Sequence, residues 1–162
     1  MNKNHIQSIQ ISAAIITVSS TRKQETDTSG ATISTLLKTA GIPVNHYAIV
    51  PDRIEAIRNE LYLAMKTANC IIINGGTGLT HDDCTIEAIL PILEKKIDGF
   101  GEFFRMKSLQ EIGTSSMLSR AIAGIIDKKV IFCIPGSTPA VSLATKELIL
   151  PEITHILSHA NR

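Results

Sequence analysis

The segment Ile71-Ile72-Ile73-Asn74-Gly75-Gly76-Thr77-Gly78-Leu79-Thr80-His81-Asp82-Asp83 puts three glycines, two hydroxyls and two carboxylates directly after a β-branched apolar run. A strand ending in such a loop offers backbone N–H groups that an anion can approach closely, because glycine has no Cβ to hold it away. The loop is not a Gly-x-Gly-x-x-Gly dinucleotide fingerprint, and it lacks the lysine of a P-loop. Motif logic therefore reaches an anion or nucleotide site and stops there; a tight strand–helix connection is the plainer reading of the same glycines. Three other segments follow apolar runs in the same way: Ser19-Ser20-Thr21, Pro51-Asp52 and Pro135-Gly136-Ser137. Each has a bland reading too. Asp52 followed by Glu55 fits a helix cap, and Ser137 fits a helix start.

The elements that must position these loops can be read from periodicity. Ser12 to Val18 predicts a buried strand, Ala31 to Ala40 a helix closed by Gly41, and Val44 to Val50 a second strand. Arg53 to Thr67 keeps the 3.6-residue period, and Cys70 to Ile73 is a third strand. Helices are predicted at Thr85 to Leu93 and Phe103 to Gln110, with Glu94 to Gly101 short and mixed. The runs 121–126 and 130–134, separated by Asp127-Lys128-Lys129, predict an antiparallel hairpin without the best turn dipeptides. A helix starts near Pro139 with Thr138 as its cap, and a last one runs from Pro151 to Leu157. Alternating strands and helices early in the chain require a parallel sheet. The fold class is therefore α/β: three layers, α/β/α, with a mostly parallel sheet and an antiparallel hairpin component. In a parallel sheet the four polar loops share the carboxyl-end edge, where ligands bind at the switch in strand order.

At 162 residues a single domain with a sizeable core is expected, here residues 11–162 behind a flexible N-terminus, 1–10. A net charge of +1 argues against a nucleic-acid surface. No apolar run reaches the roughly 18 residues of a membrane span, and the polar start, Met1 to Gln10, shows no export signal. Three cysteines without metal-ligand spacing point to a reducing, cytoplasmic compartment, with Cys70 and Cys133 as buried thiols and Cys84 unassigned. His155 and His159, four apart, could chelate a metal but lack a third ligand, so a plain surface position is the simpler reading. Arg105 and Arg120 are read likewise as surface residues.

Taken together, Thr17-Val18-Ser19, Glu25 to Gly30, Val50-Pro51-Asp52, Gly75 to Thr80, Asp83 with Thr85, Gly99-Phe100-Gly101-Glu102 with Phe104-Arg105, Met117-Leu118-Ser119-Arg120 and Pro135-Gly136-Ser137 form an ordered set. By this set the chain resembles the molybdenum cofactor biosynthesis protein B family, relatives of the molybdopterin adenylyltransferases and of the equivalent gephyrin domain. The likeness runs from Val18 to about Leu157. It implies the molybdopterin-binding fold, usually as a homotrimer or homohexamer, with possible contacts to other cofactor-biosynthesis enzymes. It implies molybdopterin and ATP with Mg2+ as ligands, and transfer of AMP to the pterin's terminal phosphate. By motif the family's two aspartates map onto Asp52 and Asp83, as catalytic residues and magnesium ligands. Ser19, Gly75, Gly76, Thr77, Gly78, Ser119, Pro135, Gly136 and Ser137 map onto the pterin and phosphate cradle.

The match departs where the family commonly reads Thr-Pro-Arg-Asp and this chain reads Thr80-His81-Asp82-Asp83. An arginine able to meet phosphate has become Asp82, a swap that either costs a charge-assisted hydrogen bond of about 1.5–3 kcal/mol or adds a metal ligand. The same four residues resemble a cousin domain, that of competence-damage-inducible protein A, linked to dinucleotide pyrophosphate chemistry. Three functions therefore stay open: an adenylyltransferase, a non-catalytic molybdopterin carrier or scaffold, and a metal-dependent dinucleotide pyrophosphatase.

Overall fold

The computed structural model describes residues 8–162. Of the N-terminal stretch expected to be flexible, residues 1–7 lie outside the described residues. The strands are β1 (Ala13–Val18), β2 (Val44–Val50), β3 (Cys70–Asn74), β4 (Lys95–Lys96), β5 (Ile122–Ile126) and β6 (Lys129–Ile134). They form one sheet in the order β2-β1-β3-β6-β5-β4. The β2–β1, β1–β3 and β3–β6 pairs are parallel, and β5 runs antiparallel to both β6 and β4.

Every residue of β1 and β3 is buried, as expected of central parallel strands covered on both faces. The two-residue period divides them between two cores. Ala13, Ile15, Cys70 and Ile72 pack under α1 (Thr28–Thr39), α4 (Asp98–Ile112), α5 (Thr138–Ala144) and α6 (Leu150–Ala160). Ala14, Ile16, Ile71 and Ile73 pack under α2 (Ile54–Ala64) and α3 (Thr85–Ile89). The three layers and the mixed sheet are those the sequence predicts. Among the described residues no helix is long and apolar enough to cross a membrane.

Several boundaries differ, each for a physical reason. Helix α1 begins three residues early because the Asp27 side chain accepts the Gly30 N–H and caps it. Helix α3 gives way to a 3-10 turn at Leu90–Ile92, where Pro91 has no N–H to continue an α-helix. Helix α4 extends back to Asp98 through Gly99 and Gly101, residues that discourage a helix prediction. Gly101 is required by close approach, since a Cβ there would lie 2.5 Å from the Ala121 carbonyl oxygen. The cap of α5 is Ser137, whose hydroxyl accepts the Ala140 N–H, and not Thr138. Helices α5 and α6 are joined by a π-turn at Thr145–Ile149, where the Leu150 N–H reaches the Thr145 carbonyl. Pro151, lacking an N–H, sits immediately beyond it and accounts for the shift.

The β5–β6 hairpin closes through a two-residue turn, with Ile126 opposite Lys129. Asp127 and Lys128 both take positive φ, 46° and 62°. This is the geometry of a type I′ turn, which suits strand twist but strains side chains that are not glycine. Replacing Asp127-Lys128 by Asn-Gly should therefore stabilise the protein by about 1 kcal/mol in urea unfolding. An unchanged or lowered midpoint would show that the turn is unstrained.

Candidate functional site

The switch in strand order falls between β1 and β3, since β1 connects outward to β2 on one side and β3 lies on its other. The loops following β1 and β3 therefore flank a crevice at the carboxyl edge of the sheet. The β3 loop is pinned at each step. The Gly75 N–H donates to the Ile134 carbonyl at 3.0 Å, and the Thr85 hydroxyl donates to the Gly75 carbonyl at 2.8 Å. The Arg120 Nε donates to the Thr77 carbonyl, also at 2.8 Å. Gly75 and Gly76 take φ of 92° and 64°, which L side chains rarely adopt.

The glycine contacts show which residues share this crevice. A Cβ on Gly76 would lie 3.0 Å from Asp52 Oδ1 and 2.6 Å from Thr85 Oγ1; one on Gly78 would lie 2.6 Å from Asp83 Oδ2. One on Gly136 would lie 2.9 Å from Gly75 Cα, so the β6 and β3 loops touch. Asp52 and Asp83 therefore border a single glycine loop. Each carboxylate is oriented by a neighbouring hydroxyl. Ser20 Oγ donates to Asp52 Oδ2 at 2.8 Å, and Thr80 gives Asp83 Oδ2 both its hydroxyl, at 2.7 Å, and its N–H, at 3.0 Å. The capping reading of Asp52 is not what the structure shows: α2 is preceded by Arg53, with no side-chain cap bond.

Ser19 Oγ accepts the N–H groups of Thr21 and Arg22, which shapes the β1 loop. Ser137 is engaged as the cap of α5. Ser119 has no side-chain bond to the glycine loop among the described residues. Its neighbour Arg120 makes that link, and pairs with Glu87 at 2.5 and 3.2 Å. The Arg120 hydrogen bond holds the Glu87 carboxyl below its ordinary range. The pair is largely exposed and contributes little stability; its consequence is to fix the Thr77 carbonyl. Arg120, read from sequence as a surface residue, is thus part of the loop's support.

Cys84 lies among these acids. Burial, then the negative charges of Asp52, Glu87, Asp83 and Asp82, push its thiol pKa up, which disfavours the nucleophilic thiolate. Cys70 and Cys133 are buried free thiols, pushed up by burial alone. Among the described residues no three His, Cys, Asp or Glu side chains are grouped to hold a metal ion. The donor set at Asp52 and Asp83 still fits magnesium, which takes one or two carboxylates and completes its shell with water and phosphate oxygens.

The largest omission from the sequence reading is a polar knot beneath the crevice. The Asp27 side chain is fully buried. It accepts hydrogen bonds from the Thr17 hydroxyl at 2.6 Å, the Tyr47 hydroxyl, the Gly30 N–H at 3.0 Å and the Ser29 hydroxyl at 3.2 Å. The Asn74 amide in turn donates to Thr17 Oγ1 at 3.0 Å. Arg22 lies 3.6 Å from the Asp27 carboxylate and donates to Ser29 Oγ and to the Gly136 carbonyl, bridging the β1 and β6 loops. Of this knot the sequence showed Thr17 and Asp27 only as members of the segments Thr17–Ser19 and Glu25–Gly30, with no sign that they meet.

The comparisons identify the family and the fold. A family model described as "Probable molybdopterin binding domain" matches residues 14–155. A molybdenum cofactor biosynthesis protein B of Bacillus cereus is 47% identical over 94% of this chain and 92% of its own length. One from Staphylococcus epidermidis is 43% identical over 100% and 98%. A crystal structure of a molybdenum cofactor biosynthesis protein B superposes with a TM-score of 0.91 at 47% identity, covering 96% of this chain and 99% of that one. The tungsten cofactor synthesizing protein MoaB from Pyrococcus furiosus gives 0.87 at 37%, covering 96% and 100%.

Burial pushes the Asp27 pKa up, but its four hydrogen bonds outweigh burial and hold it below the ordinary value. A folded-state pKa below the unfolded one stabilises the protein above the ordinary carboxylate range, and the gain is lost as pH falls through the folded value. Asp27→Asn should cost about 2–4 kcal/mol in urea unfolding at pH 7, and the gap from wild type should shrink below about pH 4. A gap that is small or independent of pH would contradict the buried-anion account.

Proposed function

The chain belongs to the molybdopterin-binding domain family of molybdenum cofactor biosynthesis proteins, and from that premise we propose that it is a molybdopterin adenylyltransferase. A terminal phosphate oxygen of molybdopterin attacks the α-phosphorus of ATP. The bond from that phosphorus to the α–β bridging oxygen breaks, and pyrophosphate leaves. The observation that carries this reading is the placement of Asp52 and Asp83 against one glycine loop.

The nucleophile is already ionised at neutral pH, so the reaction needs no strong base. The difficulty is bringing two anions together, which makes positioning and charge neutralisation the dominant requirements. Magnesium, held by Asp52 and Asp83, would supply the neutralisation. The protein's own residues do the rest. Ser20 and Thr80 fix the two carboxylates, Arg120 holds the glycine loop open at Thr77, and the Gly75–Gly78 backbone lets a phosphate approach. Asp83→Asn should lower AMP transfer by about 100-fold or more while leaving molybdopterin binding intact. Near-normal transfer at ordinary magnesium levels would remove Asp83 from this role.

One observation favours a second reading, a molybdopterin carrier that does not react with ATP. Asp82, standing where the family commonly has arginine, lines a cavity of about 440 Å3 together with Asp52, Glu55, His81 and Cys84. Among the described residues Arg53 is the one Arg or Lys on that wall, so the surface is poor in partners for a triphosphate. Calorimetric titration with magnesium-ATP separates the two readings: the transferase releases or absorbs binding heat, and a pure carrier gives none.

The exposed face of α4 carries Phe103, Met106, Leu109 and Ile112, and continues into Met117 and Leu118, all more than half exposed. An apolar stripe of this extent marks an interaction surface. We assign it to contact between copies in a homotrimer or homohexamer. Met106→Glu should shift sedimentation towards the monomer; an unchanged oligomer would place the contact elsewhere.

A further inference from the structure

A second cavity lies away from the glycine loop, at the β4 edge of the sheet. Its volume is about 630 Å3, and its walls come from β4, β5, the β5–β6 turn and α6. That volume is in the range of small-molecule sites, about 300–1,000 Å3. The floor is apolar: Ile97, Ile125 and Ile156 are only partly buried by the core beneath them and turn their remaining surface to the cavity. The rim is basic, with Lys95 and Lys96 on β4 and Lys128 in the turn. None of the three forms an ion pair among the described residues.

The rim is fixed in place. Asn161 Nδ2 donates to the Lys128 carbonyl at 3.1 Å, and Glu94 Oε1 accepts the Asp127 N–H at 2.9 Å. Glu94 is the one Asp or Glu side chain among the described lining residues. On α6, His155 and His159 face the same space with their Nε2 atoms 3.0 Å apart, and Glu152 sits 3.2 Å from His155 Nδ1. One Nε2 donates its proton to the other, which is consistent with His155 Nδ1–H on Glu152 and His159 as the donor.

Two converging imidazoles invite a transition-metal reading. The neighbouring lysines repel a cation, and no third ligand is grouped with the pair among the described residues. Unpaired ammonium groups around an apolar floor are instead complementary to an anion with a flat, apolar body. We propose that this cavity is a second ligand site, for a small aromatic phosphate of mononucleotide size, independent of the glycine-loop site.

The test is an amide-resolved NMR titration of the full chain with adenosine 5′-monophosphate. Saturable shifts are expected at residues 95–97, 125–128 and 155–160. The K95E/K128E variant, changed at two exposed positions, should bind about ten-fold more weakly at these residues. Shifts confined to Gly75–Asp83 would overturn the proposal while leaving the adenylyltransferase reading intact. Unchanged affinity in K95E/K128E would overturn it too. So would a nickel(II) response at His155 and His159 with no nucleotide response in the cavity, which would assign the site to a metal.

Discussion

A carboxylate sealed beneath the sheet edge has to find in the protein the solvation that water no longer gives it. Asp27 obtains it from three hydroxyls and one backbone N–H, contributed by β1, β2 and the first turn of α1. That requirement fixes the entry of α1 and the end of β1 relative to β2. Through Asn74 it reaches β3, and through Arg22 it reaches the β6 loop at Gly136. All four parallel strands thus meet one buried charge, directly or through one intermediary. The Tyr47 phenol shows the same coupling from the other side. Burial, and then its hydrogen bond to Asp27, push its pKa up, so it remains a donor.

The upper layer of the site depends on that lower one. With the β1, β3 and β6 ends held in register, Gly136 can pack on Gly75 and Asp52 can reach Gly76. Neither contact tolerates a side chain on the glycine. The Asp52 and Asp83 carboxylates above the knot are half-buried, oriented by the Ser20 hydroxyl and by the hydroxyl and N–H of Thr80. This arrangement combines a rigid floor with carboxylate oxygens of the donor type that suits magnesium.

β1 and β3 were legible to within a residue because strands buried along their whole length leave unbroken apolar runs. β2 was placed as well, although it is an edge strand and mostly half-buried, and the β5–β6 hairpin was legible from two apolar runs with a short gap. The glycine loop could be named because it stands at the end of such a run, whereas Asp52 and Asp83 were singled out by the resemblance of their motifs to the family. Helix α4 was only partly legible, because Gly99 and Gly101 argue locally against a helix, while Gly101 is required by its close approach to the Ala121 carbonyl. The Asp27 knot was largely illegible. Thr17, Asp27, Tyr47 and Asn74 are separated by 10 to 57 residues along the chain, and only the parallel register β2-β1-β3 brings them together. Arg120 was misjudged because its hydrogen bond to Thr77 spans 43 residues and has no local signature.

The central claim is that dispersed polar loops, held by a buried anion, form one seat for a phosphorylated pterin. A crystal structure of the chain with molybdopterin bound tests it most directly. The terminal phosphate should lie against the Gly75–Gly78 backbone, with Asp52 and Asp83 on its flanks. A pterin seated elsewhere, with that backbone untouched, would contradict the account.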